Sequence, residues 1–228
     1  MKKRWMWSAL ALGAGAAVLI AVIQKWRMPL PWTAWLPGLV EQHGKEEGQR
    51  LLRQAYADWG ALVAEYPRPL PKPPLREHLV GNILPGIALY RVLLGVHGGD
   101  RTAALEEIEP LFKTWTHALY GGMVKIFGVL PFSFWFFKLG TKMRLQNFSA
   151  DVWKTTWMED SARRIAFNNL SCPYVTSLRD YEVPELAPLY CQIDDWMGEM
   201  LPSGIAFRRT QTLARGGTLC DFSYEKTS

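Results

Sequence analysis

The N-terminal stretch constrains the fold most, because residues 5–23 carry no charged side chain. An α-helix of 19 residues is long enough to cross the hydrocarbon core of a bilayer. Basic residues flank the stretch, and tryptophans bracket it as they do at membrane interfaces. A cleaved signal peptide has a shorter apolar core and small residues at its cleavage site, whereas residues 20–26 are bulky and then basic. The sequence therefore predicts an uncleaved single-pass anchor over residues 1–27.

The charges around the anchor give it only a slight preferred orientation. Three basic residues precede the span and two follow it, which leans towards a cytoplasmic N-terminus and an exported domain. The net charge of +5 suits anionic lipid surfaces. The sequence has no basic stripe with interleaved aromatic residues, which a nucleic-acid-binding protein would need. We therefore expect a membrane location, with the side of the domain open, and no nucleic-acid partner.

Beyond the anchor, the sequence predicts a connector and a single domain. Closely spaced prolines and tryptophans predict a stiff connector over residues 28–38. The remaining residues, 39–228, suit one globular domain with a proper core. Apolar residues recur at helical spacing in its first part, so we expect residues 39–158 to be mostly helical. Within that half, the prolines of residues 67–74 predict an extended crossover.

An aromatic segment, IFGVLPFSFWFFKLG over residues 126–140, is bounded by lysines. It is too short and too interrupted to be a second membrane span. Two interpretations stay open: a core helix pair bent at Pro131, or an aromatic face that dips into the lipid headgroups while lysines reach outward. We favour core packing slightly, because the domain has to fill its interior.

A helix is expected over residues 185–201, where a Pro-Glu pair suits the first turn and apolar residues recur at helical spacing. Cys191, Asp194 and Asp195 fall on one flank of that helix, because residues three and four apart are neighbours. A thiol and two carboxylates beside a buried stripe could carry chemistry. The alternative is that the acids form a solvated face and the cysteine fills the core.

Residues 205–214 and 219–225 predict a β-hairpin whose turn is the Gly216–Gly217 pair. A two-residue turn fixes the register and places Leu213 opposite Cys220, with the cysteine on the core face. The sequence therefore predicts a buried Cys220 near the end of the domain.

The turn itself could bind an anion. Backbone amides around Arg215, Gly216 and Gly217 could form a small concavity with the guanidinium beside it, which would suit a carboxylate. Asp221 lies close by on the second strand. Since most Gly-Gly turns only reverse the chain, a purely structural role stays open beside the binding role.

Residues 164–172 predict a further strand, in which Phe167 is followed by two asparagines. We expect it to join the hairpin in an antiparallel sheet that the helix at 185–201 covers. The predicted fold class is α+β, with an N-terminal transmembrane helix, a helical first half, and a sheet with a covering helix over residues 159–228.

Several blocks of the sequence together resemble a known family. The blocks occur together and in the same order as in the L-2-amino-thiazoline-4-carboxylic acid hydrolase family, which the chain resembles over roughly residues 40–226. The blocks are HLVGNILPGIALYRVLLG (78–95), FNNLSCPY (167–174), PELAPLYCQIDDWM (184–197) and RTQTLARGGTLCDFSY (209–224). The resemblance implies a bacterial enzyme that opens a cyclic amidine-like C–N bond in a small heterocyclic carboxylic acid, and hence an inner-membrane location for the anchor. The matching candidate residues are Cys172, Cys191, Asp194, Cys220 and Asp221.

More than one chemistry fits these residues. A thiolate from one of the three cysteines could attack an amidine carbon while neighbouring carboxylates move protons. A nearby cation would then have to lower the pKa of the thiol. Alternatively, Asp194 or Asp195 activates water and the cysteines are structural. The cysteine spacing is not that of a structural zinc site, although a three-cysteine site assembled by the fold stays open. We expect no metal and no cofactor.

The sequence thus predicts a membrane-anchored hydrolase-like protein acting on a small-molecule substrate with a cyclic C–N bond and a carboxylate. The competing prediction is a non-catalytic accessory or binding subunit of a membrane complex, which keeps the same fold and uses the anchor and residues 126–140 as contact surfaces. The anchor favours that alternative, because a soluble metabolite does not need a tethered enzyme. Convergence of the cysteines on one pocket would favour the enzyme.

Overall fold

The computed structural model describes residues 31–67, 69–73, 75–129, 132–146 and 152–227, with the backbone alone at 123 and 126–129. The anchor predicted over residues 1–27 lies outside the described residues. The helices are α1 (Trp32–His43), α2 (Lys45–Glu65), α3 (Leu75–Val96), α4 (Arg101–Val129), α5 (Ser133–Gln146), α6 (Pro173–Asp180) and α7 (Ala187–Met200). The strands are β1 (Thr155–Asp160), β2 (Arg164–Asn169), β3 (Ile205–Arg208) and β4 (Cys220–Lys226).

Helix α1 occupies most of the segment that was expected to be a connector. Residues 32–38 are helical, not extended. Their aromatic side chains explain the difference, because Trp35 and Leu39 lie on one helical face and are fully buried in the helical core. Burying side chains of this size stabilises a helix by more than one internal proline costs it.

Helix α3 runs through the centre of the helical half. Most of its residues are buried, and a π-helical turn at Leu79–Ile83 interrupts it. In the part of the chain that the structure describes, α3 is the one helix long and apolar enough to cross a membrane, with a mean hydropathy of 1.7 over a window that is 67% buried in the protein. A core helix has the same length and composition, so this property alone says little about a membrane.

The four strands form one antiparallel sheet in the order β1-β2-β4-β3. Ile165 of β2 lies opposite Tyr224 of β4, and both are buried in a second, smaller core with Phe134 of α5. The α+β prediction, with a helical first half and a C-terminal antiparallel sheet, is confirmed. Strand β1 was expected to be helical; it is an edge strand, exposed along most of its length, so it lacks the apolar alternation that reveals a strand.

The hairpin register predicted from the glycine pair is wrong by two residues. Phe207 pairs with Tyr224, and the chain between β3 and β4 is a loop that contains a 3₁₀ turn at Leu213–Arg215. The Asp221 carboxylate holds this loop, because it accepts hydrogen bonds from the backbone amides of Thr210 at 2.9 Å and Gln211 at 2.8 Å. A shift of two residues keeps every side chain on its face, and Cys220 is buried as expected.

The aromatic segment divides between the interior and the surface. Phe134 is buried, and the ring of Phe137 lies 4.7 Å from that of Tyr224. Phe132 and Trp135 point the other way and are 77% and 53% exposed. Helix α5 therefore packs its inner face against the sheet, as the core interpretation predicted, and leaves an aromatic edge outside.

Candidate active site

A cavity of about 410 Å³ lies between the helices and the inner face of the sheet. All three cysteines line it, together with Asp194. They come from different elements: Cys172 precedes α6, Cys191 and Asp194 belong to α7, and Cys220 begins β4. The convergence expected of the candidate residues is therefore present for these four side chains. The volume is typical of small-molecule sites.

Cys172 is the N-cap residue of α6, in extended backbone conformation, with a proline at the first helical position. The backbone amides of Tyr174 and Val175 approach its sulfur and favour the thiolate. Burial outweighs them and raises the pKa of the Cys172 thiol to about 12. With its pKa raised in this way, the Cys172 thiol is protonated at neutral pH.

The other two thiols are in similar surroundings. Burial, and then the neighbouring Asp194, raises the pKa of Cys191 to about 11, although the Thr212 hydroxyl opposes the shift. Burial also raises the pKa of Cys220, whose sulfur accepts a hydrogen bond from the backbone N–H of Leu213 at 3.3 Å. All three cysteines are free thiols.

Arg209 organises the acid pair of α7. Its Nη1 donates to Oδ2 of Asp194 at 3.0 Å, and its Nη2 donates to Oδ1 of Asp195 at 2.7 Å. The same Nη2 donates to the backbone oxygen of Cys191 at 2.8 Å. The Arg209 side chain is 4% exposed. Its Cζ atom lies over the rings of Phe207 and Phe222, 5.7 Å and 5.4 Å from the ring centroids. A buried, fully engaged arginine therefore fixes the orientation of Asp194 at the cavity wall.

The environment of Asp194 suits a base. Burial raises the pKa of its carboxyl, and this outweighs the attraction of Arg209. Its side chain is nevertheless 38% exposed, and because Asp194 lines the cavity, that exposed part can meet a ligand or water. A carboxyl group whose pKa is raised by burial, and which a partner orients, is a common form of general base.

Residues 134–224 match the family model for L-2-amino-thiazoline-4-carboxylic acid hydrolase. The matched range holds the sheet down to Tyr224, the three cysteines, Asp194 and Arg209. The resemblance predicted from the sequence is thus confirmed as a domain match, over a shorter range than roughly 40–226. No curated protein matches the chain.

The predicted turn residues do not join the site of this hydrolase-like domain. Arg215, Gly216, Gly217 and Asp221 are not among the residues that line the cavity. Gly216 adopts a left-handed conformation, with φ of 83°, and ends the 3₁₀ turn, while Asp221 holds the loop. Asp195 does not line the cavity either, and its observed contact is with Arg209.

Arg144 of α5 was missed by sequence reasoning. It lines the cavity, and its side chain is accessible there even though protein atoms crowd around it. The nearby Tyr120 raises the pKa of Arg144 above its usual value, against the opposing effect of burial. The sequence signal was a lone arginine within the otherwise apolar inner face of α5. Of the two arginines that line the cavity, Arg209 is already paired with Asp194 and Asp195, and Arg144 is the more exposed.

Helix α3, which precedes the matched range, contributes His78 and Asn82, and both contact the hydroxyl of Tyr174. The hydroxyl of Tyr174 lies 2.6 Å from Nδ1 of His78 and accepts a hydrogen bond from Nδ2 of Asn82 at 3.1 Å. Burial, and then the charge of Arg144, lowers the pKa of His78 to about 3, so its imidazole is neutral. The π-helical turn places Asn82 beside His78, and such turns often mark functional sites.

The cavity does not resemble a metal centre. Within the described ranges, no group of three or more His, Cys, Asp and Glu side chains is arranged to hold a metal ion. The three-cysteine metal site that the sequence left open is therefore not formed by these thiols, which surround the cavity as separate groups.

Proposed function

We propose that this protein is a hydrolase that opens a C–N bond of a cyclic amidine-like compound carrying a carboxylate. The observation that supports it best is Asp194, held by Arg209 at the wall of a cavity that the hydrolase-like domain largely forms. The reaction needs a cation for the substrate carboxylate and a base for water. Arg144 is the cation, and Asp194 is the base.

Binding and orientation are assigned to two side chains. Arg144 pairs with the substrate carboxylate, because charge-assisted hydrogen bonds between guanidinium and carboxylate are strong and directional. Asp194 faces the amidine end, where a carboxylate also stabilises the positive charge of a protonated amidine. Both residues line the same cavity, and we propose that the substrate lies with its carboxylate at Arg144 and its amidine carbon at Asp194.

The reaction begins with proton transfer to Asp194. Its carboxylate takes a proton from a water molecule as the water oxygen bonds to the carbon of the protonated amidine and the C=N π pair moves onto nitrogen. The ring C–N bond then breaks, its electron pair remains on nitrogen, and Asp194 returns the proton to that nitrogen. The hydroxyl proton of the adduct passes to the released amine as the carbonyl forms, so the amine becomes an ammonium group and Asp194 is again ionised. Arg209 also lines the cavity, but its side chain is 4% exposed, so its role is to hold the Asp194 carboxylate in place.

Cys172 offers a second mechanism, supported by the amides of Tyr174 and Val175 that approach its sulfur. In that mechanism the thiolate would form a covalent adduct with the amidine carbon, which water would then release. We prefer water activation because burial raises the pKa of all three thiols.

Cysteine variants separate the two mechanisms. We expect Cys172→Ala to open the ring of 2-amino-thiazoline-4-carboxylate at a rate close to that of the wild type, because the thiol does not react. Cys191→Ala and Cys220→Ala are the matched controls within the same cavity. The measurement is product formation by purified protein, with a melting curve to confirm folding. Loss of turnover in one folded alanine variant, and in the serine variant at the same position, would show that its thiolate is the nucleophile.

We further propose that residues 5–23 anchor the domain to a bacterial inner membrane. The support is their uncharged length and basic flanks. Full-length protein should fractionate with membranes and require detergent for release, and protein lacking residues 1–27 should not. Full-length protein that stays in solution without detergent, or a mature N-terminus beyond residue 14, would contradict the anchor.

An accessory role in a membrane complex is the second candidate. The exposed Phe132 and Trp135 favour it, because they form an aromatic edge that a partner could cover. If folded wild type binds no cyclic amidine and a stable partner protein co-purifies with it, this role replaces the enzyme.

A further inference from the structure

The cavity is larger than the compound that gives the family its name. At about 410 Å³ it lies in the range of pockets that bury drug-sized ligands. A single five-membered ring with one amino and one carboxylate group would leave much of that volume to water, at about 30 Å³ for each molecule. The unfilled part of the cavity would then need polar walls, because ordered water requires hydrogen-bond partners.

The walls of the cavity are instead mainly apolar and aromatic. Trp115 and Leu119 come from α4, Met197 comes from α7, and Phe222 comes from the sheet. Polar side chains line the rest of the cavity, among them Glu77, Asn82, Arg144, Asn169, Asp194 and Arg209. Water that lies against the apolar walls makes too few hydrogen bonds, so apolar ligand surface would displace it favourably there.

We propose that the ligand of this cavity is an amphipathic carboxylate, whose acid group pairs with Arg144 and whose bulky alkyl or aryl group fills the apolar walls. The inference rests on the proposed function for the location of the site, and it narrows the substrate class. The ring that reacts at Asp194 then carries a large apolar substituent. Helix α5 supplies Arg144 to the cavity, and Trp135 of the same helix is exposed.

Binding measurements on the full-length protein test the apolar half of the proposal. The probes are acetate, butyrate and 4-phenylbutyrate, titrated calorimetrically into protein in lipid nanodiscs, with empty nanodiscs as the background. Each buried CH₂ group should strengthen binding roughly fourfold, so 4-phenylbutyrate should bind at least tenfold tighter than butyrate. Met197→Gln, which changes polarity at nearly constant size, should weaken 4-phenylbutyrate and leave acetate unchanged. Equal affinity across the series would overturn the proposal.

The carboxylate half is tested with a neutral analogue and an arginine variant. We expect 4-phenylbutyramide to bind at least tenfold more weakly than the acid. Arg144→Gln should weaken the acid at least tenfold and leave the amide unchanged, while Arg144→Lys should retain part of the difference. Arg179→Gln, an exposed arginine that does not line the cavity, is the matched control. If the amide binds as well as the acid to wild-type protein, the assignment of Arg144 is overturned without recourse to any variant.

Turnover distinguishes the failure of this inference from the failure of the proposed function. If 4-phenylbutyrate binds as expected and no cyclic amidine is hydrolysed, the ligand class stands and the hydrolase does not. If 2-amino-thiazoline-4-carboxylate is hydrolysed and apolar carboxylates neither bind nor inhibit competitively, the hydrolase stands and the amphipathic ligand does not.

Discussion

Asp194→Asn should lower kcat for ring opening of 2-amino-thiazoline-4-carboxylate by about 10²–10⁴-fold, the usual contribution of a positioned general base. Asparagine keeps the shape of the side chain and can still accept the hydrogen bond from Arg209, but it cannot take a proton from water. Asp195→Asn is the matched control, because Asp195 also pairs with Arg209 and does not line the cavity. The measurement is steady-state kinetics on folded variants. A smaller loss for Asp194→Asn than for Asp195→Asn would contradict the assignment.

The pH dependence of the wild type provides an independent check on Asp194. Burial raises the pKa of its carboxyl above the ordinary value, and the base is active only when ionised. The rate should therefore rise with pH through this raised pKa and then level off, and the acidic limb should lie above the range of an exposed aspartate. In Asp194→Asn that limb should disappear from the residual rate. An unchanged acidic limb in the variant would assign the titration to another group.

Arg209→Gln should destabilise the fold by about 1.5–3 kcal/mol, the usual contribution of a hydrogen bond to a charged group, because the arginine side chain is 4% exposed while its two carboxylate partners are 38% and 37% exposed and partly screened by solvent. The guanidinium holds two carboxylates and a backbone oxygen, and glutamine cannot satisfy all of them. The change would leave Asp194 and Asp195 beside each other without a cation. We therefore expect lost stability and lost activity together.

Arg208→Gln is the matched control for this prediction. Arg208 precedes Arg209 in the chain, and its side chain is 73% exposed. Its Nε atom lies 3.9 Å from Oε2 of Glu225, with which it forms an ion pair. Exposed pairs of this kind contribute about 0–1 kcal/mol. The measurement is urea unfolding of both variants in parallel, with the free energies extrapolated to water. Similar losses for the two variants would show that Arg209 is not the centre of a buried network.

The sequence predicted most accurately those features that depend on local periodicity. The helix expected over 185–201 is present as α7, and its spacing placed Cys191 and Asp194 on one flank, as observed at the cavity. The sheet was also expected, because Phe222 and Tyr224 alternate along β4 and a Gly-Gly pair lies between the two predicted strands of the hairpin. Cys220 was placed on the correct face in spite of the wrong register, since an error of two residues does not exchange the faces of a strand.

The remaining parts of the site depend on contacts between distant segments. Arg144 and His78 lie far apart in the sequence and meet only because α3 and α5 pack around the same cavity. Arg209 was expected to be an ordinary strand residue, whereas the loop held by Asp221 places it against the acid pair of α7. The periodicity of one segment does not predict contacts between residues that are distant in the sequence. A three-dimensional structure is needed to identify the cation of the site.

The most direct test of the account is mass spectrometry of the full-length protein, incubated with 2-amino-thiazoline-4-carboxylate in ¹⁸O-labelled water and quenched during the reaction. If Asp194 activates water in the cavity, the ring-opened product carries one labelled oxygen and the protein keeps its unmodified mass throughout. Absence of ring-opened product, or a covalent adduct that maps to Cys172, Cys191 or Cys220, would contradict it.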